Sequence, residues 1–219
     1  MNIDFYKIRS VSKGRTESFE ELSCQIFYRE FRNDSFEYHR YRGDGGDGGV
    51  ESVFLKPDGS KIALQSKYWE SRVFSTSQVG QLSKSIDAAV ANHPEITQYF
   101  ISIPFNLTGK VSGESRGKSQ TQKFEEWRLK KEQEHSVRIV LWGESILTDL
   151  LLKVDSSGGL RKYWFDNSII NDDQYEQHLK ETKAQAGRRY TPKLSLKVPL
   201  SAALDTFTKK SSFVNWYGK

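Results

Sequence analysis

The chain has 219 residues, of which 36% are hydrophobic and 28% charged, and a formal net charge of +5. That length can bury a real core in one domain plus an appendage; the basic balance, with a pI of about 9.1 and a mean hydropathy of −0.67, suits a polyanionic partner. A single cysteine, Cys24, excludes an intramolecular disulfide framework, and one Cys with four His argues against a structural zinc site.

In chain order, residues 16–31 carry Phe19, Leu22, Ile26 and Phe27 at helical spacing. Thr16 is the expected N-cap, and Cys24 reads as a small core residue. FEYHRY, over 36–41, alternates aromatic and polar residues as a half-exposed strand does. The run RGDGGDGG occupies 42–49, and VESVFL follows as a strand. KPDGSK is a turn with Pro, Asp and Gly in their usual order, and IALQSKYW returns over 62–69 as the second arm of a hairpin. After Ser75, Val79, Leu82, Ile86, Ala89 and Val90 mark one face of a helix that NHP ends. TQYFISI is a buried strand over 97–103. Residues 109–123, rich in Gly and Ser and basic, read as a loop or mobile insertion. FEEWRLKKEQE is a charged, exposed helix, VRIVLW a buried strand over 137–142, and GESILTDLLLK another helix.

This order of elements predicts an α/β fold with a mixed sheet flanked by helices, over residues 1–153. Beyond DSSGG the pattern weakens. Residues 154–189 read as a polar helical extension, and 190–219 as an extended and amphipathic connector or docking segment. No stretch approaches the ~18 apolar residues of a membrane span, and MNIDFYKIRS holds no apolar run of the signal-peptide kind. The expectation is a soluble, cytoplasmic protein with no membrane partner.

The hairpin carries the chemistry. Residues two apart on a strand share a face, so Gln65 and Lys67 point the same way, along with Ala63 and Trp69. A five-residue loop over 57–61 would set Glu51 opposite Lys67; a shift of one residue would set it beside Ser66. Either register gathers an acid, an amide oxygen and an ammonium, with Asp47 on the glycine-rich turn free to lean over them. Mg2+ takes hard oxygen ligands. Asp47, Glu51, the Gln65 amide oxygen and the main-chain carbonyl at Ser66 could supply them, and Lys67 adds a charge that can hold a water or a developing oxyanion. Glycines without side chains would let a duplex backbone come close. A glycine-rich phosphate loop would need Gly-Lys-Ser/Thr opening a helix, and an EF-hand a different spacing of acids; neither pattern fits. Each part alone is weak, and it is the joint spacing that points to phosphodiester chemistry.

At these residues the chain resembles the PD-(D/E)xK nucleases, in particular the Mrr-like restriction endonucleases that carry Gln in place of the third acid. The shared features are Phe19-Glu20 in the first helix, Asp47-Gly48-Gly49-Val50-Glu51 leading into a strand, and Leu64-Gln65-Ser66-Lys67 on the next. The resemblance implies a restriction-endonuclease-like αβββαβ core, a Mg2+-dependent endonuclease with Mn2+ as a substitute, and double-stranded DNA as the partner. It implies that Glu20 reaches the metal, that Gln65 and the main chain at Ser66 complete its shell, and that Lys67 positions the nucleophile. The strand acid is usually Asp; here it is Glu51, with Asp47 four residues earlier, and both stay candidates. Glu21 is a weaker candidate than Glu20. GRRYTPKLSLKVP, over 187–199, resembles the segment that follows the nuclease domain in bacterial antiphage STAND NTPases, which implies an effector role beside an NTPase or sensor module.

Arg40, Arg42 and Arg72, with Lys110, Arg116, Lys118 and Lys123 in the basic insertion, are the candidate DNA-facing cations. Such contacts hold the backbone without reading sequence, so low sequence specificity is expected. Cutting both strands calls for two active sites, hence a homo-oligomer. The competing expectations are a catalytically silent DNA-binding or assembly module of the same fold, and a junction resolvase.

Overall fold

A computed structural model of the protein describes residues 3–11, 14–41, 48–109 and 117–166. The elements are α1 (Arg15–Phe31), β1 (Glu37–Arg40), β2 (Ser52–Leu55), β3 (Lys61–Ser66), α2 (Thr76–Asn92), β4 (Ile96–Ser102), α3 (Gln120–His135), β5 (Arg138–Trp142), α4 (Glu144–Val154) and α5 (Gly159–Phe165), with a short 3-10 turn at Phe5–Lys7 before them. The five strands form one mixed sheet in the order β1-β2-β3-β4-β5. β1, β2 and β3 pair antiparallel; β3, β4 and β5 pair parallel. The α/β class with helices flanking a mixed sheet is therefore as the sequence predicts. Of the helical extension expected over 154–189, residues 167–189 lie outside the described residues, as does the connector expected over 190–219.

The alternation of each strand builds two cores. Phe54, Ile62, Leu64, Phe100 and Trp142 pack with Phe19, Leu22, Ile26 and Phe27 of α1, Leu147 and Leu151 of α4, and Leu160 and Trp164 of α5. Val53, Ala63, Tyr99, Ile101 and Ile139 pack with Leu82, Ile86 and Ala89 of α2, and Phe124 and Trp127 of α3. Neighbours along a strand thus go to opposite sides, as the period of two requires. Each fully buried large apolar side chain contributes about 1.5–3 kcal/mol, and the first core is dense in rings: Phe27, Phe31, Phe100 and Trp142 lie 5.0–6.1 Å apart, centroid to centroid.

Four expectations change at the level of elements. Helix α1 is capped at Gly14 rather than Thr16, with no side-chain cap bond; the Ser18 hydroxyl donates to the Gly14 carbonyl instead. The basic stretch over 109–123 ends inside α3, because Ser119 and Gln122 form a capping box there. Helix α3 is also less exposed than its charges imply, since Phe124, Trp127 and Lys131 are buried. Helix α5 falls within residues 154–189, read as a polar helical extension, but one side of it is apolar and buried. Its Leu160 and Trp164, four apart, enter the first core, and the buried Asp155 carboxylate accepts from the Leu160 and Arg161 amides at its start. Burial raises the Asp155 pKa, but these bonds and Arg161 hold it below the usual carboxylate range.

Candidate functional site

The β2–β3 hairpin is tighter than expected. Leu55 pairs with Lys61 and Ser52 with Leu64. Lys56 accepts from the Gly59 amide and donates to the Ser60 carbonyl, so Pro57-Asp58-Gly59 closes a short loop with Gly59 at φ 81°. The register is two residues from the one that would face Glu51 with Lys67. A slip of two keeps every side chain on its face, so the acid still meets the amide. Continued one step past Ser52↔Leu64, it brings Glu51 beside Gln65.

That pair is the centre of the site. The Gln65 Nε2 donates to Glu51 Oε1 at 2.6 Å and to the Ser66 carbonyl oxygen at 3.1 Å. Gln65 is fully buried and Glu51 is 4% exposed. The other amide atom, Gln65 Oε1, is buried without a hydrogen-bond partner. An orphaned acceptor of this kind costs about 1–3 kcal/mol. The carboxamide itself lies beside a buried carboxylate and a strand carbonyl; with its oxygen turned toward them, the three would make the donor set that a hard cation needs, so the residues present fit a divalent ion. Lys67 follows β3, its amide bonded to the Ser102 carbonyl at 2.9 Å. Its half-exposed side chain has no hydrogen-bond or ion-pair partner among the described residues.

The two glycines before Glu51 fix where that residue starts. Gly48 and Gly49 have φ of 59° and 84°, a region side-chain-bearing residues rarely adopt. A Cβ on Gly49 would lie 2.0 Å from the Ser85 carbonyl oxygen of α2. The Tyr99 hydroxyl donates to the Gly49 carbonyl at 2.6 Å. The close approach that Gly49 permits is therefore to helix α2.

Arg40 is the second correction. Expected on the DNA side, it turns inward on the aromatic face of β1. Its Nη2 binds Glu20 Oε1 at 2.9 Å and Glu21 Oε2 at 3.2 Å; its Nη1 lies 2.8 Å from Cys24 Sγ and 3.2 Å from the Glu51 carbonyl oxygen. Burial works against its charge, but Cys24, Glu20 and Glu21 more than offset it, and its pKa is raised. Burial pushes the Cys24 thiol up to about 12, with Arg40 pulling the other way; Cys24 stays a thiol at neutral pH. Glu20 is joined to the Glu51–Gln65 pair through Arg40. Sequence reasoning missed this clamp, although a signal existed: Arg40 stands two residues past Tyr38 and four past Phe36, on the inward stripe of its strand.

The other nominated residues are scattered. Arg72 is exposed, paired with Asp4 and stacked over the Tyr6 ring. Lys118 is exposed and paired with Glu126, and Lys123 lies in the first turns of α3. Asp47, Arg42, Lys110 and Arg116 lie outside the described residues. A second acidic group, Asp87, Glu134 and His135, places one ligand atom from each residue within 4.8 Å of the others. A cleft of about 460 Å³ between Arg29, Glu30, Arg32 and Lys153 lies where α1 and α4 end. Arg29 meets Asp155 and the Val154 carbonyl at the end of α4, and Lys153 meets Glu30, which satisfies these two cations locally. Among the described residues no helix is long and apolar enough to cross a membrane. A scan against known protein families returns no match, and neither does a search of curated proteins.

Proposed function

We propose that the chain is a divalent-metal-dependent DNA endonuclease built on a restriction-endonuclease-like core. One observation carries this: a buried carboxylate just before β2 and a buried carboxamide on β3 meet at 2.6 Å, with the amide oxygen unsatisfied, and a lysine with no side-chain partner among the described residues stands two residues further on. The residues that would hold Mg2+ are Glu51, the Gln65 oxygen and the Ser66 carbonyl, with Asp47 as the fourth candidate; Mn2+ has the same ligand preference. Bound there, the ion supplies Lewis acidity, drawing charge from phosphate oxygens and making water a better nucleophile at neutral pH. Lys67 would orient the attacking water and stabilise the charge that grows on the phosphate as the water oxygen bonds to phosphorus and the bond to the leaving oxygen breaks, the water's proton passing through solvent to that oxygen. Arg40 holds Glu20 and the Glu51 backbone in place.

Solvated cations such as Arg72, Lys118 and Lys123 would track the DNA backbone, which fits low sequence specificity. A cytoplasmic effector role in antiphage defence, with self-association, rests on the resemblance of residues 187–199. One observation favours the alternative of a silent DNA-binding module: the Glu20 carboxylate is already engaged by Arg40.

The test is plasmid nicking with Mg2+, Mn2+ or EDTA, wild type beside Lys67→Ala. The expected result is metal-dependent nicking that falls by at least about a hundredfold in the variant while DNA retention is kept. No cleavage with either metal at any protein concentration, or parallel loss of binding and cleavage, would overturn the enzyme in favour of the binding module.

A further inference from the structure

We propose that the Gln65 carboxamide is the built-in occupant of the cation position, and that a divalent ion is admitted only when this amide turns over and presents its oxygen. The inference deepens the nuclease reading and rests on it.

The geometry leaves the amide no choice of orientation. Its two close neighbours, a carboxylate oxygen at 2.6 Å and a main-chain carbonyl oxygen at 3.1 Å, only accept. The NH2 group must face them, and it links the same two oxygens that an ion would link. The Gln65 oxygen is thereby turned away into a buried place where nothing donates to it. With the amide reversed, three oxygens would converge with no hydrogen between them, which is unfavourable unless a cation sits among them. Ion and amide orientation are thus coupled. In the ion-free protein the NH2 group stabilises the strand ends; in the loaded protein the oxygen serves as a ligand. Every binding event must break two hydrogen bonds, which weakens affinity and keeps the site quiet at low metal concentration.

A Glu at this position has no NH2 group; beside Glu51 it can donate only through a shared proton, which a divalent ion displaces, so it removes the fixed occupant and leaves an oxygen already facing the site. Full-length wild type and Gln65→Glu are compared in EDTA and in MgCl2 by calorimetric titration and thermal melting. The variant should bind Mg2+ at least about tenfold more tightly, as expected when a competing internal partner is lost. In EDTA it should melt lower by about 4 °C or more, and MgCl2 should raise its Tm more than that of wild type. A second measurement needs no variant fold. The Gln65 side-chain 15N–1H2 resonance should be protected from exchange in EDTA and should shift most among the glutamines as MgCl2 is added.

If Gln65→Glu is as stable as wild type in EDTA and binds Mg2+ no more tightly, the stand-in is wrong, and nicking by wild type would still uphold the metal site. A Gln65 resonance unchanged at saturating MgCl2 overturns it equally. If neither protein binds Mg2+ or Mn2+, both the stand-in and the metal site fall.

Discussion

Two of the acidic groups among the described residues, Glu51 with Gln65 and Asp87 with Glu134 and His135, differ in how their charge is met. In the first, Glu51 and Gln65 are buried between strands, and an amide oxygen goes unsatisfied. In the second, Asp87 of α2 faces Glu134 and His135 of α3 at the surface. There the Lys131 ammonium lies 2.7 Å from Asp87 and 2.8 Å from Glu134, and His135 Nε2 lies 2.8 Å from Asp87. By residue type the second is the better metal site, since it offers two acids and a histidine. By physics it already contains its cation. Lys131 is only 9% exposed and joins two helices through those carboxylates. Proximity of ligand types is therefore a weak guide, and the useful question is which acceptors the protein leaves without a donor.

The widest separation between the clusters should show in catalysis. Glu51→Gln is expected to lower plasmid nicking by at least about a hundredfold, because it removes the one described carboxylate that can hold the ion. Asp87→Asn should leave nicking within about twofold, since its cluster only ties α2 to α3. A reversed pattern would move the active site to the helix pair.

Stability separates the two glycines of the hairpin region in a similar way. Gly49 and Gly59 both have positive φ, but only Gly49 has a neighbour where its Cβ would go. Gly59→Ala is expected to cost about 1–2 kcal/mol, the left-handed penalty alone. Gly49→Ala adds overpacking against the α2 backbone, for a total of about 2–5 kcal/mol. Urea unfolding followed by circular dichroism measures both. Equal costs would mean that α2 moves away easily, and with it the constraint that places Glu51.

The sequence was most legible where one period or one cap decided the structure. The stripe Leu82, Ile86 and Ala89 placed α2 after Ser75, which the structure shows to be its N-cap. The alternation of Val53 with Phe54 and of Ala63 with Leu64 set the faces of the hairpin. The meeting of Glu51 and Gln65 was legible because face survives a slip of two residues, although the loop length was wrong. The role of Arg40 was not, because a charged residue on an inward stripe is recognised only once its partners arrive from α1, twenty residues earlier in the chain. The neighbour of Gly49 was not legible for the same reason: close approach was, but the approaching body, Ser85 of α2, is 36 residues away. Helix α5 lies in a stretch read as helical, but its buried side was not legible, because its seven residues span barely two turns, too few for a period to stand out.

The smallest effect expected concerns the second cluster under changing pH. Burial raises the Asp87 pKa, but hydrogen bonds from Lys131 and His135 pull it below the usual carboxylate range. Lys131 shows the complementary change: burial lowers its pKa, and Asp87 and Glu134 raise it by more. A lowered carboxylate stabilises the fold above its unfolded value of 3.8 and loses that contribution as pH falls through the folded pKa. A raised lysine stabilises below its unfolded value of 10.5 and loses it as pH rises through the folded pKa. Between these limits the link is constant. Half of the Asp87 side chain is exposed, so screening keeps its worth to about 0.5–1 kcal/mol, and Glu134 retains Lys131 when Asp87 is neutralised. Asp87→Asn should therefore lower Tm by about 1–3 °C at pH 7. That difference should shrink as the buffer is taken below the carboxylate range, where wild type loses the same charge. A difference that persists undiminished in acid would mean that Asp87 acts through packing or neutral hydrogen bonds, and the picture of Lys131 as the resident cation of the second cluster would fail.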